Sequence, residues 1–252
     1  MTEMRRWLLG PDGALGARLT VAALAAAILL VPFMLLLVLV KNTFTPLYRL
    51  DQGVAADLHG FALQHPAFAD VMRFITDALA PETWRVLVGG AAVYMVLRGA
   101  PRLAIWAVTT VIVGGVIGLA VKVAVERARP MLPDPVSWAP GWSFPSGHAL
   151  NAALGAVTLV LVLLPVLHGV WRVVAWVLAG LVSVTVAFTR VALGVHWVSD
   201  VVAGMILALV VVAATAAGFE AWRRRMGRRP IEPHLEGIEP EIVAPNGKGE
   251  PR

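Results

Sequence analysis

Cysteine is absent from the 252-residue chain, and charged side chains make up only 15% of its residues. Without cysteine the protein has no disulfide framework, no thiolate metal site and no thiol nucleophile. So few charges do not cover the surface of a soluble domain of this length, and 58% of the residues are hydrophobic. This composition predicts an integral membrane protein. The net charge of +5 does not indicate nucleic-acid binding, because the basic residues cluster at the ends of apolar runs.

Six apolar runs predict an all-α protein, a bundle of six transmembrane helices. A helix needs about 20 residues to cross roughly 30 Å of hydrocarbon, and five uncharged runs approach this length. The remaining run is shorter and lies between Arg85 and Arg98, which can reach the interface. Gly114 and Gly118 have the small-residue spacing of close helix packing. In chain order the predicted spans are 19–40, 86–97, 103–121, 149–167, 173–189 and 201–219.

The distribution of arginine predicts the orientation of the bundle. With six spans, the arginine groups at the chain ends and in two of the loops all lie on one side, which the positive-inside rule makes cytoplasmic. Five spans would leave the last arginine cluster outside. We therefore expect a multi-pass cell-membrane protein with both termini in the cytoplasm. The arginines are Arg5, Arg6, Arg18, Arg98, Arg102, Arg172, Arg223, Arg224, Arg225, Arg228 and Arg229.

An outer segment, 41–81, joins the first two predicted spans. Apolar side chains recur in it at helical spacing, which predicts an extracytoplasmic interfacial helix over 67–79. A helix packed over the mouth of the bundle fits the same pattern. We interpret His59 and His65 as surface residues. The apolar positions are Phe68, Val71, Met72, Ile75 and Leu79.

The C-terminal end differs from the rest of the chain in composition. From about Pro230 onward it is rich in proline, glutamate and glycine, which predicts disorder. We therefore divide the chain into a six-span membrane domain, 1–222, and a basic, then disordered, cytoplasmic tail, 223–252.

Several ionisable residues lie on the predicted outer side of the membrane. Four are basic: Lys122, Arg127, Arg129 and Arg190. Such residues are unfavourable at these depths and are usually functional. Arginines that extend to the interface from helix ends would explain one or two of them. They would not explain the histidines and the aspartate that reach the same face, which are His148, His196 and Asp200.

The spacing of the basic residues predicts a phosphate pocket. Lys122 and Arg129 are seven positions apart, or two helical turns, which would put them on one face of a helix end. Together with Arg190 they would surround a multiply charged oxyanion, and arginine forks suit phosphate oxygens. Ser146 and Gly147 open the fourth span, where unpaired N–H groups and the helix dipole favour an anion.

The remaining residues of this group suit nucleophilic catalysis. His196 and Asp200 are four positions apart, which predicts neighbours on one helical face. Asp200 can accept a hydrogen bond from Nδ1–H, which leaves Nε2 of His196 as a nucleophile. His148 is then available to protonate a leaving oxygen. The nearby acidic residues are too few and scattered for a two-Mg²⁺ centre, so we expect neither metal nor cofactor.

These motifs resemble those of the type 2 phosphatidic acid phosphatase superfamily of membrane lipid phosphatases. Its signatures are Lys, six residues and Arg-Pro; then Pro-Ser-Gly-His; then Ser-Arg, five residues, His, three residues and Asp. Here they read Lys122…Arg129-Pro130, Pro145-Ser146-Gly147-His148 and Thr189-Arg190…His196…Asp200, with threonine in place of the serine. All three occur in order within about residues 100–205. The resemblance implies a nucleophilic His196, an acidic His148, and phosphate contacts from Lys122, Arg129, Ser146, Gly147 and Arg190.

The resemblance implies hydrolysis of a lipid phosphate at the outer leaflet. We rank a prenyl (undecaprenyl-type) diphosphate narrowly ahead of phosphatidate, because a pocket rich in cations suits the extra charge of a diphosphate. Two other functions fit the sequence: a phosphotransferase that uses a lipid or sugar hydroxyl as acceptor, and a lipid-binding or transport protein without activity. The vanadium haloperoxidases, soluble relatives with the same motifs, do not match six spans. The expected partners are the lipid phosphate and the bilayer.

Overall fold

The computed structural model describes residues 11–164 and 166–225, and these residues form eight α-helices joined by turns and loops. No β-strand occurs within these two ranges, so the all-α prediction is confirmed for them. The helices are α1 (Pro11–Lys41), α2 (Thr45–Gln64), α3 (Pro66–Ala78), α4 (Pro81–Leu97), α5 (Pro101–Val125), α6 (Gly147–Leu163), α7 (Val170–Ala192) and α8 (Val198–Arg225).

Proline marks where several of these helices begin. Pro66, Pro81 and Pro101 are the first residues of α3, α4 and α5. The first turn of a helix has N–H groups without partners in the helix, and the fixed φ of proline already suits it. Proline at these positions therefore separates consecutive helices with only short connections between them.

Four helices in the described part of the chain are long and apolar enough to cross a membrane. They are the Leu19–Lys41 part of α1, α5, α7, and α8 over Val198–Trp222. Helix α6 is apolar but has only 17 residues, and α4 also has 17. The apolar helices fit a membrane protein, and the crossing of the bilayer by all six predicted spans stays a prediction.

Helix α6 is the most enclosed of the apolar helices because its side chains are small. Its buried residues include Ala149, Ala152, Ala153, Gly155 and Ala156. Small residues let neighbouring backbones approach closely, and glycines on the adjacent helices extend this contact. A Cβ atom added to Gly114 of α5 would collide with Leu154, and one added to Gly204 of α8 would lie 2.7 Å from the carbonyl oxygen of Ser146. The close packing predicted from Gly114 is thus confirmed.

The segment between α1 and α4 contains two helices where one was predicted. The predicted helix over 67–79 corresponds to α3, which packs against α7 with the Phe68 and Phe188 rings edge to face at 6.4 Å. Helix α2 was not predicted. His59 of α2 is 4% exposed and its Nε2–H donates to the carbonyl oxygen of Pro133 at 2.6 Å, so the interpretation of His59 as a surface residue was wrong. The interfacial position of α3 stays a prediction.

Helices α5 and α7 end, and helices α6 and α8 begin, at the end of the bundle where the three motifs meet. Lys122 lies in the last turn of α5, Arg190 in the last turn of α7 and Asp200 in the first turn of α8. At the opposite end, the guanidinium carbon of Arg102 lies 5.7 Å from the ring centroid of Trp222. Helix α8 continues to Arg225, past the predicted boundary at 222, and the tail predicted to be disordered lies outside the described residues.

Candidate active site

Three segments distant in sequence are joined by hydrogen bonds at this end of the bundle. They are the loop that follows α5, the start of α6 and the turn between α7 and α8. The backbone N–H of Ser146 donates to the carbonyl oxygen of Asp200 at 3.0 Å. Nη1 of Arg129 donates to the carbonyl oxygen of Val195 at 2.7 Å. The structure therefore brings together the segments that carry the three predicted motifs.

His196 and Asp200 form a buried pair. Nδ1 of His196 lies 3.3 Å from Oδ2 of Asp200, and the two residues are 2% and 0% exposed. They do not share a helical face, as the sequence had predicted, because α8 begins at Val198 and His196 precedes it. The contact forms because Asp200 turns back toward the helix start, where Oδ2 also accepts the N–H of Trp197 at 2.9 Å.

The surroundings of His196 favour a neutral imidazole. Burial lowers its pKa most, the hydrogen bond and the charge of Asp200 oppose this, and Arg129 and Arg190 lower it again, so that the pKa is about 4. With the proton on Nδ1 facing Asp200, Nε2 carries a lone pair, and Nη1 of Arg129 lies 3.0 Å from it. A neutral ring with an unprotonated Nε2 is the form that nucleophilic attack needs, and the lone pair becomes available when Arg129 gives up this contact.

Arg129 holds several backbone segments together. All five of its N–H groups have acceptors within the protein. These are the carbonyl oxygens of Pro140, Gly141, Trp142 and Val195, and Nε2 of His196. To bind a phosphate, Arg129 would therefore have to exchange some of these acceptors for phosphate oxygens.

Lys122 and Arg129 do not lie on one helix face, which corrects the prediction from their spacing. Helix α5 ends at Val125, and Glu126 adopts a left-handed conformation with φ of 52°. The chain turns there, so Lys122 approaches the site from the helix and Arg129 from the loop. Electrostatic interactions nevertheless couple Lys122 to Arg129, Asp200 and Arg190.

Arg190 and His148 complete the site. Arg190 is 6% exposed, and its Nη1 donates to Oγ1 of Thr76 on α3 at 2.9 Å. His148 is half-buried in the first turn of α6. It interacts electrostatically with Lys122, Arg129, Arg190 and His196.

The start of α6 is built as predicted. Ser146 caps the helix, its Oγ accepts the N–H of Ala149 at 3.5 Å, and Gly147 is the first helical residue. Ser146 is fully buried whereas Gly147 is partly accessible. The first N–H groups of a helix lack partners within it, so this end can contribute donors to an anion.

Three polar residues of the site were not predicted from the sequence, and they are Asp51, Thr76 and Ser199. Arg127, which had been counted with the cations of the pocket, pairs instead with Asp51 and Asp200 at 2.7 and 2.6 Å. Asp51 and Thr76 lie on α2 and α3, in the segment where only apolar spacing had been informative. Ser199 stands beside Asp200 in the sequence, but a serine in a first helical turn carries no specific signal.

Two cavities adjoin the site. One, of about 520 Å³, lies beside Arg129 and is lined by His59, Trp138, Trp142 and Gly194 among others. The other, of about 730 Å³, lies between the end of α1, the start of α2 and the loop after α5. Apolar and aromatic side chains line much of it, including Leu39, Phe44, Leu47, Tyr48 and Trp197. In residues 11–164 and 166–225, no group of three or more His, Asp or Glu side chains could hold a metal ion.

Comparison with known proteins agrees with the motifs. Residues 103–224 match the model of the PAP2 superfamily. This segment belongs to the PAP2 superfamily. The PAP2 domain comprises most of α5, all of α6 and α7, nearly all of α8 and the loops between them, and it contains all three motifs. The resemblance inferred from those motifs is thereby confirmed, whereas Asp51 and Thr76 come from helices that precede the PAP2 domain.

Two curated relatives and one solved structure are similar to the chain. An undecaprenyl-diphosphatase of Sulfolobus acidocaldarius is 27% identical over 187 residues, which are 69% of this chain and 84% of the relative. Phosphatidylglycerophosphatase B of Bacillus subtilis is 39% identical over 89 residues, 34% of this chain and 43% of the relative. The crystal structure of a transmembrane PAP2-type phosphatidylglycerolphosphate phosphatase from Bacillus subtilis matches with a TM-score of 0.66 at 23% identity. The match covers 81% of this chain and 98% of the crystallised chain, which shows a shared fold.

Proposed function

We propose that the protein is a membrane lipid phosphatase that works through a covalent phosphohistidine on His196. The observation that carries this proposal is the buried His196, with Nδ1 facing Asp200 and Nε2 facing a cationic group. An imidazole held in this way has its nucleophilic lone pair directed at the place where an oxyanion would be bound. The names of both curated relatives describe lipid phosphatases.

The reaction would proceed in two displacements. In the first, Nε2 of His196 attacks phosphorus, the bond from phosphorus to the leaving oxygen breaks, and His148 gives that oxygen a proton. In the second, His148 takes a proton from water, the water oxygen attacks the phosphohistidine, and the P–N bond breaks to release phosphate and free imidazole. Asp200 would stabilise the positive charge that the ring carries in between.

Phosphate binding would rely on the protein's own cations. Lys122, Arg129 and Arg190 would face the equatorial oxygens, and the start of α6 at Ser146 and Gly147 would add the field of the helix dipole. These groups would supply the positive charge that a divalent metal supplies in other phosphatases. We therefore propose a metal-independent reaction without a cofactor.

We propose that the chain crosses the cell membrane six times, with α1 and α4 to α8 as the spans. Six crossings would put both termini on one side, which the positive-inside rule makes cytoplasmic, and the site would face outward. Helix α3 would lie near the outer interface, where exposed side chains such as Phe74 (74% exposed) could contact lipid. The cavity of about 730 Å³ beside Arg127 and Trp197 could hold the first part of a lipid tail.

Among substrates we place a prenyl diphosphate narrowly ahead of phosphatidate. The support is the relative named undecaprenyl-diphosphatase, of which 84% is covered. The pairing of Arg127 with two carboxylates removes one cation from the charge argument for a diphosphate. The relative named phosphatidylglycerophosphatase B makes phosphatidylglycerol phosphate a third candidate.

The test is a comparison of kcat/KM for the three candidates and lysophosphatidate, with the purified protein in one detergent. A tenfold preference for a glycerolipid, about 1.4 kcal/mol of transition-state discrimination, would reverse the ranking. Transfer of radiolabel to an acceptor lipid instead of water would identify a phosphotransferase. Failure to release phosphate from any of the lipids would favour a binding or transport role.

A further inference from the structure

A buried carboxylate that precedes the PAP2 domain is connected to the candidate active site. Asp51 of α2 is fully buried. Its Oδ1 accepts the backbone N–H of Ser199 at 3.0 Å, and its Oδ2 accepts the Ser199 hydroxyl at 2.5 Å. Oδ2 also accepts Nη2 of Arg127 at 2.7 Å. All these donors come from the motif segments, which lie 76 and 148 positions away along the chain.

Arg127 links Asp51 to the carboxylate of the catalytic pair. Its Nη1 donates to Oδ1 of Asp200 at 2.6 Å and to the hydroxyl oxygen of Ser199 at 2.6 Å. The Ser199 hydroxyl therefore accepts from Arg127 and donates to Asp51. The ring of Trp197 lies against the guanidinium, with its centroid 5.5 Å from the guanidinium carbon. The guanidinium of Arg127 thus lies between the carboxylates of Asp51 and Asp200, hydrogen-bonded to both, with the ring of Trp197 over it.

This network determines which oxygen of Asp200 is available to His196. Arg127 engages Oδ1, so Oδ2 is left for Nδ1 of His196 and for the N–H of Trp197. A buried ion pair adds little net stability, because desolvation offsets the attraction between the charges. We therefore expect the network to act mainly by fixing the orientation of Asp200, and much less by stabilising the fold.

We propose that Asp51 and Arg127 are positioning residues that hold Asp200, and through it His196, in the geometry for attack on phosphorus. The proposal rests on the proposed function, in which His196 is the nucleophile. Neither residue touches the reacting atoms in this scheme, and the cations assigned to phosphate binding are separate from them. Their loss should therefore lower kcat more than it raises KM.

Substitution of Asp51 and substitution of Arg127 should shift the pKa of His196 in opposite directions. Asp51→Asn leaves the charge of Arg127 balanced by Asp200 alone, so the pKa of His196 should fall. Arg127→Gln removes a positive charge beside Asp200, so the pKa of His196 should rise. A general loosening of the fold has no reason to produce opposite shifts. The charged and titratable groups that face this part of the site are Asp200 from α8, Lys122 from α5, Arg129 from the loop after α5, His148 from α6 and Arg190 from α7.

The experiment uses the full-length chain purified in detergent. Steady-state kinetics on the best lipid phosphate would be measured from acid to neutral pH for the wild type, Asp51→Asn and Arg127→Gln. Asp57→Asn and Arg49→Gln, exposed positions on the same helix as Asp51, are the matched controls. Ser199→Ala removes the bridging hydroxyl without leaving a buried charge unpaired, so it tests the network if either charge variant fails to fold.

We expect kcat to fall about 10- to 100-fold in both charge variants, as when outer hydrogen-bond partners of metal-site histidines are removed. KM should stay within about threefold, and Ser199→Ala should lose kcat at an unchanged melting temperature. The acid limb of kcat/KM, which reports the free enzyme, should move to lower pH in Asp51→Asn and to higher pH in Arg127→Gln. Folded variants with wild-type kcat and unmoved limbs would overturn the proposal.

A second readout does not depend on activity. In protein labelled with ¹⁵N-histidine, the ring signal of His196 is assigned by its absence in His196→Ala, and its titration is followed in each variant. Opposite shifts in Asp51→Asn and Arg127→Gln support the positioning role, and equal titration in all three proteins overturns it. If the wild type hydrolyses no lipid phosphate, the proposed function fails, and the His196 titration alone decides whether the network acts on this ring.

Discussion

Replacing Asp200 by asparagine removes one negative charge while keeping the size of the side chain. Asp200 is fully buried, with Oδ2 at 3.3 Å from Nδ1 of His196 and Oδ1 at 2.6 Å from Nη1 of Arg127. In the proposed reaction the imidazole becomes positively charged as the bond from nitrogen to phosphorus forms. The carboxylate would stabilise that charge more than it stabilises the neutral ring of the free enzyme. Its removal should therefore slow the chemical step and leave substrate binding nearly unchanged.

The separation of the pair sets the size of the effect. Two unit charges 3.3 Å apart attract by about 5 kcal/mol at an effective dielectric constant of about 20. Arg127 neutralises part of the charge of Asp200, and the asparagine oxygen retains part of the interaction as a dipole. If about half of the attraction is lost, the barrier rises by roughly 2–3 kcal/mol, which corresponds to a decrease in kcat of about 100-fold.

The assay is phosphate release from a lipid phosphate under saturating conditions, with the melting temperature in detergent as a check on folding. Asp70→Asn is the matched control, because Asp70 forms an exposed ion pair with Arg73 on α3 and its side chain is 71% exposed. Surface pairs of this kind contribute about 0–1 kcal/mol to stability, and this one is remote from the proposed chemistry. A folded Asp200→Asn protein with less than about a fivefold loss of kcat would refute the electrostatic role assigned to Asp200.

Three further results are expected. His196→Ala should abolish turnover and the acid-labile ³²P label on the protein while lipid binding persists; near-normal activity would exclude His196 as the nucleophile. EDTA should not reduce activity and orthovanadate should inhibit it, because protein cations stabilise the five-coordinate phosphorus; activity lost in EDTA and restored by Mg²⁺ would contradict this. In the cysteine-free chain, a cysteine at Ser137 should react with an impermeant thiol reagent in intact cells and one at Gly227 should not; the reverse pattern would invert the topology.

Local sequence signals were sufficient where the structure depends on local chemistry. Ser146 and Gly147 stand at the start of α6 as predicted, and the apolar spacing over 67–79 corresponds to α3. These features depend on neighbours within one or two turns, so the sequence contains the information. Spacing was misleading where the chain leaves the helix. Glu126 ends α5 between Lys122 and Arg129, and His196 precedes α8, so distances counted along an ideal helix did not apply.

The sequence alone determined the membrane class of the protein and the order of its three motifs, which lie in the segment that matches the PAP2 superfamily. Only the tertiary structure decided which buried polar groups become partners. Asp51 pairs with Arg127 across 76 positions, and Thr76 accepts from Arg190 across 114. A buried polar group needs a partner because its desolvation is unfavourable, but local patterns do not specify that partner. The packing of α2 and α3 against the PAP2 helices brings these groups together.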